Sequence, residues 1–223
     1  MSTRIEAIRA GVTNIYLLRD RGTVIVDPGG PPSGRSAVRK VLPRLGTPPR
    51  LDLMVITHGH LDHVGAAAGL RAATGAPIAV HLADAPWLRA GRVVWPHGVT
   101  PWGRAVRAAL GPVLMPLCRL SELDPDLILD DDGMDLEPYG ISGRVVHTPG
   151  HSPGSVSVVL PSGEAFVGDL VMNGPPFCLR PRFGIFADRP ELLADSWRKL
   201  LDAGARTVYP AHGRPFSVSA LTC

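Results

Sequence analysis

The segment Thr57-His58-Gly59-His60-Leu61-Asp62-His63 sets three imidazoles and a carboxylate within six residues, directly after the apolar stretch Leu51 to Thr57. Neutral imidazole and carboxylate are the usual protein ligands of zinc and other borderline first-row metals. A spacing of two along an extended turn can aim His58 and His60 at one point. Asp62 and His63, entering the next helix, then point elsewhere, about a metal–metal distance away. Gly59 and Gly65 let the backbone bend tightly around the cluster. A polar turn with incidental histidines explains the pattern poorly, because three of only eight histidines crowd one turn beside an aspartate.

Three later residues extend the pattern, each in a short turn just after an expected strand: His151 in Thr148-Pro149-Gly150-His151, Asp169 in Phe166-Val167-Gly168-Asp169, and His212 in Tyr209-Pro210-Ala211-His212. The same ends of neighbouring strands converge on one rim of a sandwich, so ligands on such turns meet in one place. Five histidines and two aspartates make seven donors. That is more than one tetrahedral metal needs and suits two metals sharing a bridging carboxylate.

The elements that must carry these turns are short. Strands are expected at Ile5 to Ile8, Ile15 to Leu18, Thr23 to Val26, Leu51 to Thr57 and Pro77 to Val80, with helices at Ser36 to Leu45 and Ala66 to Thr74. From His81 to about Pro125 the texture turns helical and holds Trp87, Trp95 and Trp102. Further strands are expected at Leu127 to Leu129, Met134 to Glu137, Ile141 to His147, Ser155 to Leu160, Ala165 to Gly168 and Thr207 to Tyr209, with a helix from Arg189 to Ala203. Two strand-rich blocks around a helical insert at about 81–125 read as a single α/β domain over residues 1–223, two sheets inside and helices outside.

Composition removes other function classes. The 23 basic and 20 acidic residues leave a net charge of +3, and without runs of like charge there is no nucleic-acid groove or anionic-membrane patch. Cys118, Cys178 and Cys223 form no CxxC and no disulfide framework. The N-terminus lacks an apolar signal core, and the most apolar run, Ala105 to Leu117, is too short to span a bilayer. A soluble, cytoplasmic protein acting on a small molecule is the expectation.

With its T-H-x-H-x-D-H, P-G-H-S-x-G-S, G-D and A-H-G motifs, the chain resembles the metallo-β-lactamase fold superfamily from Asp27 to His212. The resemblance implies a four-layer αββα sandwich with a dinuclear site at the edge of the two sheets. It places His58, His60 and His151 on a first metal, Asp62, His63 and His212 on a second, and Asp169 between them. Asp27 matches an aspartate that supports the metal loops without ligating. Two Zn²⁺ per chain, or Fe or Mn in their place, would hold a bridging hydroxide that cleaves an ester, thioester, lactone or phosphoester. Asp62 would orient that hydroxide or shuttle a proton. The residual positive charge of such a centre favours a small polar or anionic substrate.

Within the superfamily the chain looks most like the hydroxyacylglutathione hydrolase and lactonase branch. Asp169 stands where true β-lactamases usually have Cys or Ser. Met172 replaces the tyrosine of homoserine-lactone hydrolases, and the chain ends eleven residues after His212, short of a glutathione-binding helical segment. The alternative is an oxidoreductase like the persulfide dioxygenases, with one iron at the first-metal position. Candidate substrate contacts are Asn173 and Ser152 as oxyanion donors, Arg180 and Arg182 as anion holders, and His97 from a lid. His81 and His147 are expected to pack without ligating. The Trp-bearing insert roofs the active site or forms a homodimer contact.

Overall fold

Along β2 (Thr13–Arg19), Ile15 and Leu17 pack to one side and Tyr16 and Leu18 to the other, all four buried. Successive strand residues face opposite ways, so a strand apolar on both faces has to be covered twice. That requirement sets the layers. The computed structural model describes residues 3–30 and 34–221, and Cys223 lies outside them.

The first sheet runs in the order β1 (Arg4–Ala10), β2, β3 (Thr23–Val26), β4 (Leu53–Val55), β5 (Ile78–His81), β6 (Leu127–Leu129). Its first three strands are antiparallel and β3 to β6 are parallel. In the second sheet β7 (Met134–Asp135), β8 (Arg144–His147), β9 (Val156–Val159) and β10 (Glu164–Phe166) are followed by β13 (Thr207–Tyr209) and β14 (Phe216–Ser217). A separate hairpin joins β11 (Val171–Met172) and β12 (Arg182–Phe183).

Tyr16, Leu18, Val24, Val26, Leu53 and Val55 meet Val145, Val156, Val158 and Phe166 between the sheets. Ile15, Leu17, Ile25, Met54 and Ile78 turn outward under α1 (Arg35–Val41), α3 (Ala67–Thr74) and α4 (Ala85–Arg89). Across the molecule, Ala165 and Val208 lie under Leu193, Trp197 and Leu200 of α6 (Leu193–Asp202). Each such large apolar side chain contributes about 1.5–3 kcal/mol when fully buried. The result is the expected four-layer αββα arrangement.

Proline shifts several boundaries. The helix expected over Ser36 to Leu45 gives way at Val41 to a 3₁₀ turn, Leu42–Arg44, that contains Pro43. The strand expected over Met134 to Glu137 stops at Asp135, and Pro138 sits in the 3₁₀ turn Glu137–Tyr139. Pro190 likewise opens a 3₁₀ turn before α6. The start of the expected 81–125 insert is ordinary sandwich: His81 ends β5, and Ala85 and Leu88 of α4 join the outer layer. Only from about Val93 does the chain leave the sandwich, to form α5 (Pro101–Leu117). No described helix is long and apolar enough to cross a membrane.

Candidate metal centre

Strand direction explains how residues from His58 to His212 meet. β4 leads into His58 to His63, β8 into His151, β10 into Asp169 and β13 into His212, each from the strand's C-terminal end. β10 pairs parallel with β13, and β8 is parallel to β10 because β9 is antiparallel to both. The turns therefore open on one rim, and all seven candidate donors come together there. Ring centroids of His58, His60 and His151 are 4.5–4.8 Å apart, and His63 lies 3.9 Å from His58 and 5.7 Å from His212. Candidate donor atoms fall within 4.8 Å of one another in each of three groups: His58–His60–His151, Asp62–His63–His212 and His58–His63–Asp169.

Asp169 faces both sides of the cluster. Its Oδ1 is 3.4 Å from His63 Nε2 and 3.3 Å from His212 Nε2, and its Oδ2 is 3.6 Å from His151 Nε2. Gly168 makes this approach feasible: its φ is +51°, and a Cβ there would lie 2.5 Å from Thr57 Oγ1.

Four imidazoles are oriented through Nδ1. His58 Nδ1 is 3.0 Å from Thr57 Oγ1, His63 Nδ1 2.7 Å from Asp27 Oδ2, His151 Nδ1 2.9 Å from Phe186 O and His212 Nδ1 3.0 Å from Val12 O. An acceptor on Nδ1 fixes the tautomer and leaves the Nε2 lone pair for a metal. His60 is turned the other way, with Nδ1 2.9 Å from His151 Nε2. Asp27 also accepts from Thr57 N and Oγ1 at 2.8 and 2.7 Å, so one carboxylate steadies the start and end of the His58–His63 turn.

The donor set fits cations. Among the described residues, His58 Nε2, His63 Nε2 and Asp169 Oδ1 are buried in the cluster with no hydrogen-bond partner, while His60 faces it through Nδ1. Each such atom costs about 1–3 kcal/mol, and a concentration of them in one small volume is the signature of a group that binds there.

Charge divides the two sides. Burial and the neighbouring rings of His63 and His151 hold His58 and His60 well below the usual histidine range. Burial also opposes charge on His63, but Asp27, Asp62 and Asp169 outweigh it and hold that ring well above the range. For His212, burial is outweighed by Asp169 and Asp62, and its pKa is pushed up to about 10. Burial disfavours charge on Asp62 and Asp169 too, yet His63 and His212 hold both carboxyls down. Without metal the second side is thus an imidazolium–carboxylate cluster near neutral pH. Loading it must displace about two protons, whereas His58 and His60 are already neutral. Titration calorimetry in buffers of different ionisation enthalpy is expected to resolve two uptake events. The proton-releasing one should tighten steadily between about pH 6 and 9; equal proton release in both events would contradict this division.

Several supporting residues are silent in the sequence. Asp84 accepts from Gly59 N at 2.9 Å, Ser152 Oγ at 2.7 Å and Gly154 N at 2.9 Å. It therefore ties the His58–His60 turn to the His151 turn. Burial raises its pKa despite those donors. Asp84→Ala strands all three buried donors and is expected to cost about 2–4 kcal/mol, with reduced metal content, measured by denaturant unfolding and elemental analysis. Thr13 Oγ1 donates to Asp62 Oδ2 at 3.0 Å. Tyr16 Oη donates to Pro210 O at 2.6 Å, and Asn14 Nδ2 to Gly213 O at 2.8 Å, bracing the His212 turn from β2. Trp87 stacks on His60 at 6.1 Å.

The expected substrate contacts are arranged differently. Ser152 Oγ is committed to Asp84, and Asn173 Nδ2 donates to Arg214 O at 2.9 Å, so neither is aimed at an oxyanion. Arg180 and Arg182 are exposed and do not line the cavity over the centre, although Met172, Pro176 and Phe177 of the same β11–β12 hairpin do. His97 is 74% exposed beside Asp188 and lines an outer groove. His81 and His147 stack at 4.1 Å, and each lies 3.1 Å from Asp131 Oδ1. His147 donates Nε2–H to Pro153 O and His81 Nδ1 accepts from Ala83 N; with Asp131 the pair forms a further group of donor atoms within 4.8 Å of one another that shares no residue with the centre.

A cavity of about 750 Å³ opens above the centre, floored by His60, Asp62, His151, Asp169 and His212. Its roof is residues 93–96 and one face of α5. Val99 N donates to Ile185 O at 3.0 Å and Ala187 N to His97 O at 2.9 Å, anchoring the roof to the segment whose Phe186 carbonyl orients His151. The lining outside the centre is apolar.

The model of the metallo-beta-lactamase superfamily matches residues 8–212, and the chain belongs to that superfamily of metal-dependent hydrolases. Among its relatives, the probable metallo-hydrolase YflN of Bacillus subtilis (strain 168) is 24% identical over 235 residues, covering 96% of this chain and 85% of YflN. BLEG-1, a B3 metallo-beta-lactamase, shares the fold at a TM-score of 0.69 and 24% identity, covering 97% of this chain and 95% of its own. TTHA1623, solved in a di-iron-bound form, has a TM-score of 0.61 and 26% identity over 97% of this chain and 96% of its own.

Proposed function

We propose that this chain is a dinuclear metal-dependent hydrolase of a small-molecule ester, thioester, lactone or phosphoester. The observation that carries the reading is Asp169, whose two oxygens face His63 and His212 on one side and His151 on the other. His58, His60 and His151 would hold one cation, Asp62, His63 and His212 a second, with Asp169 shared. Two zinc ions, or iron or manganese in their place, would supply a hydroxide nucleophile near neutral pH and a Lewis acid for the substrate oxygen.

The chain's own residues do the rest. Asp62 keeps 39% of its side chain accessible, faces the cavity and is fixed by Thr13, so it can hold a proton on its way to the leaving group. Asp27 and Thr57 keep His63 and His58 from turning. A substrate seated under the apolar roof would displace water from above the centre and strengthen the charge interactions there. The di-iron form of TTHA1623 keeps iron among the candidate metals. A screen of ester, thioester, lactone and phosphodiester substrates, run beside metal analysis of anaerobically purified protein, tests the reading. Hydrolysis with about two metals per chain is expected. One ferrous iron with sulfur-dependent oxygen uptake would overturn it.

A further inference from the structure

The cavity over the centre has walls of one chemical kind. Of the chain's 23 lysines and arginines, none lines it, and outside the centre its described walls are aliphatic, aromatic or sulfur-bearing. The pattern is built in. Trp102, Ala105, Val106, Ala109 and Leu110 recur at helical spacing along α5 and face the cavity. Arg104 and Arg107 lie on the other side of that helix and line the adjoining outer groove, which shares Trp95 and Met115 with the cavity. Val12, Met172 and Phe177 close the opposite wall. Gly103 lets α5 come this close, since a Cβ there would lie 2.2 Å from Ile185 O.

A polyanionic or sugar-like substrate entering such a space would lose its hydration and find hydrogen-bonding partners only at the floor. An alkyl chain gives up no hydrogen bonds by entering, and its burial outweighs the rotational freedom it loses. We infer that the substrate is a carboxylic ester or thioester whose acyl group is an apolar chain of medium length, seated between α5 and the centre with its carbonyl at the floor. The inference rests on the hydrolase reading and narrows it. In the reaction, a water oxygen forms the new C–O bond and the C–S or C–O bond to the leaving group breaks. The leaving sulfur or oxygen takes up one proton of the water, the other is released to solvent, and the products are a carboxylate and a thiol or alcohol. No oxidant or reductant enters.

Two readouts separate this inference from the reading beneath it. The first is kcat/KM of the metal-loaded protein on N-acetylcysteamine thioesters with acetyl, butanoyl, hexanoyl and octanoyl groups, which share one leaving group. A gain of about twofold to fourfold per buried methylene is expected until the cavity is filled, so at least about sixtyfold over the six methylenes from acetyl to octanoyl. Ala109→Trp, which fills part of the roof, should move the optimum to a shorter chain. The second is the fluorescence of Trp95 and Trp102 during titration with decanoate or butanoate, which needs no turnover; decanoate should bind at least about tenfold tighter. Hydrolysis that is flat or falling with chain length would overturn the inference and leave the hydrolase standing. Absence of hydrolysis with every metal, alongside tight decanoate binding, would overturn the hydrolase reading and keep an apolar-chain site. Equal binding of both acids, or decanoate affinity that falls as protein concentration rises because a second chain covers the cavity, would overturn the inference.

Discussion

Asp169→Ala is expected to lower kcat/KM by at least about a thousandfold and to take metal content from about two per chain to one or fewer. Both effects come from one side chain. Its Oδ1 faces His63 and His212 at 3.4 and 3.3 Å, its Oδ2 faces His151 at 3.6 Å, and Oδ1 is a buried acceptor without a hydrogen bond. Among the described residues, no other carboxylate lies within 4 Å of both triads. Asp169 makes no hydrogen bond to the sheets, so the variant should keep its far-ultraviolet circular dichroism spectrum. Elemental analysis and steady-state kinetics on the same preparation check the result. A variant that keeps two metals, or loses rate while keeping them, would show that Asp169 does not hold the pair together.

Removal of metal by a strong chelator is expected to abolish turnover and lower Tm by at least about 15 °C, both restored by adding metal back. A site saturated at a thousand times its Kd adds about 4 kcal/mol, and a chain of this size moves by about 2–4 °C per kcal/mol. Two such sites account for the shift. The metal-free chain should still fold near neutral pH, because protonated His63 and His212 then neutralise Asp62 and Asp169. The sign of the pH dependence follows. His212 has its pKa raised from 6.5 to about 10, so its contribution is fully present below about pH 6.5 and is lost as pH rises towards 10. Asp62 and Asp169, held down, contribute above their ordinary range near 3.8 and lose that contribution in acid. Tm of the metal-free protein should therefore fall between about pH 7 and 10, while that of the loaded protein stays nearly flat. Differential scanning calorimetry of both forms measures this, and parallel pH curves would contradict it.

The donors were legible because they obey local rules: a dense run of imidazoles, and single polar residues in turns directly after apolar strands. Their supports were not, because each works across the fold. Asp84 lies 25 residues from the Gly59 amide and 70 from the Gly154 amide that it binds, and Asn14 lies 199 from Gly213. Nothing near those residues in the chain announces the partner. Closeness to Asp169 in sequence did not tell which residues of the β11–β12 hairpin line the cavity: Met172, Pro176 and Phe177 do, while Arg180 and Arg182 are exposed outside its lining. β11, β12 and β14 have two residues each, too few to show an alternating pattern. The apolar face of α5 was readable from the spacing of Trp102, Val106, Ala109 and Leu110, but not that it would overhang the donors.

Anomalous diffraction from a crystal of the metal-loaded protein, recorded on both sides of the absorption edge of the bound element, addresses the centre most directly. Two peaks are expected. One should lie about 2.0–2.2 Å from His58 Nε2, His60 Nδ1 and His151 Nε2, the other at the same range from Asp62, His63 Nε2 and His212 Nε2, with Asp169 between them. A single peak, or peaks on other residues, would contradict the dinuclear account.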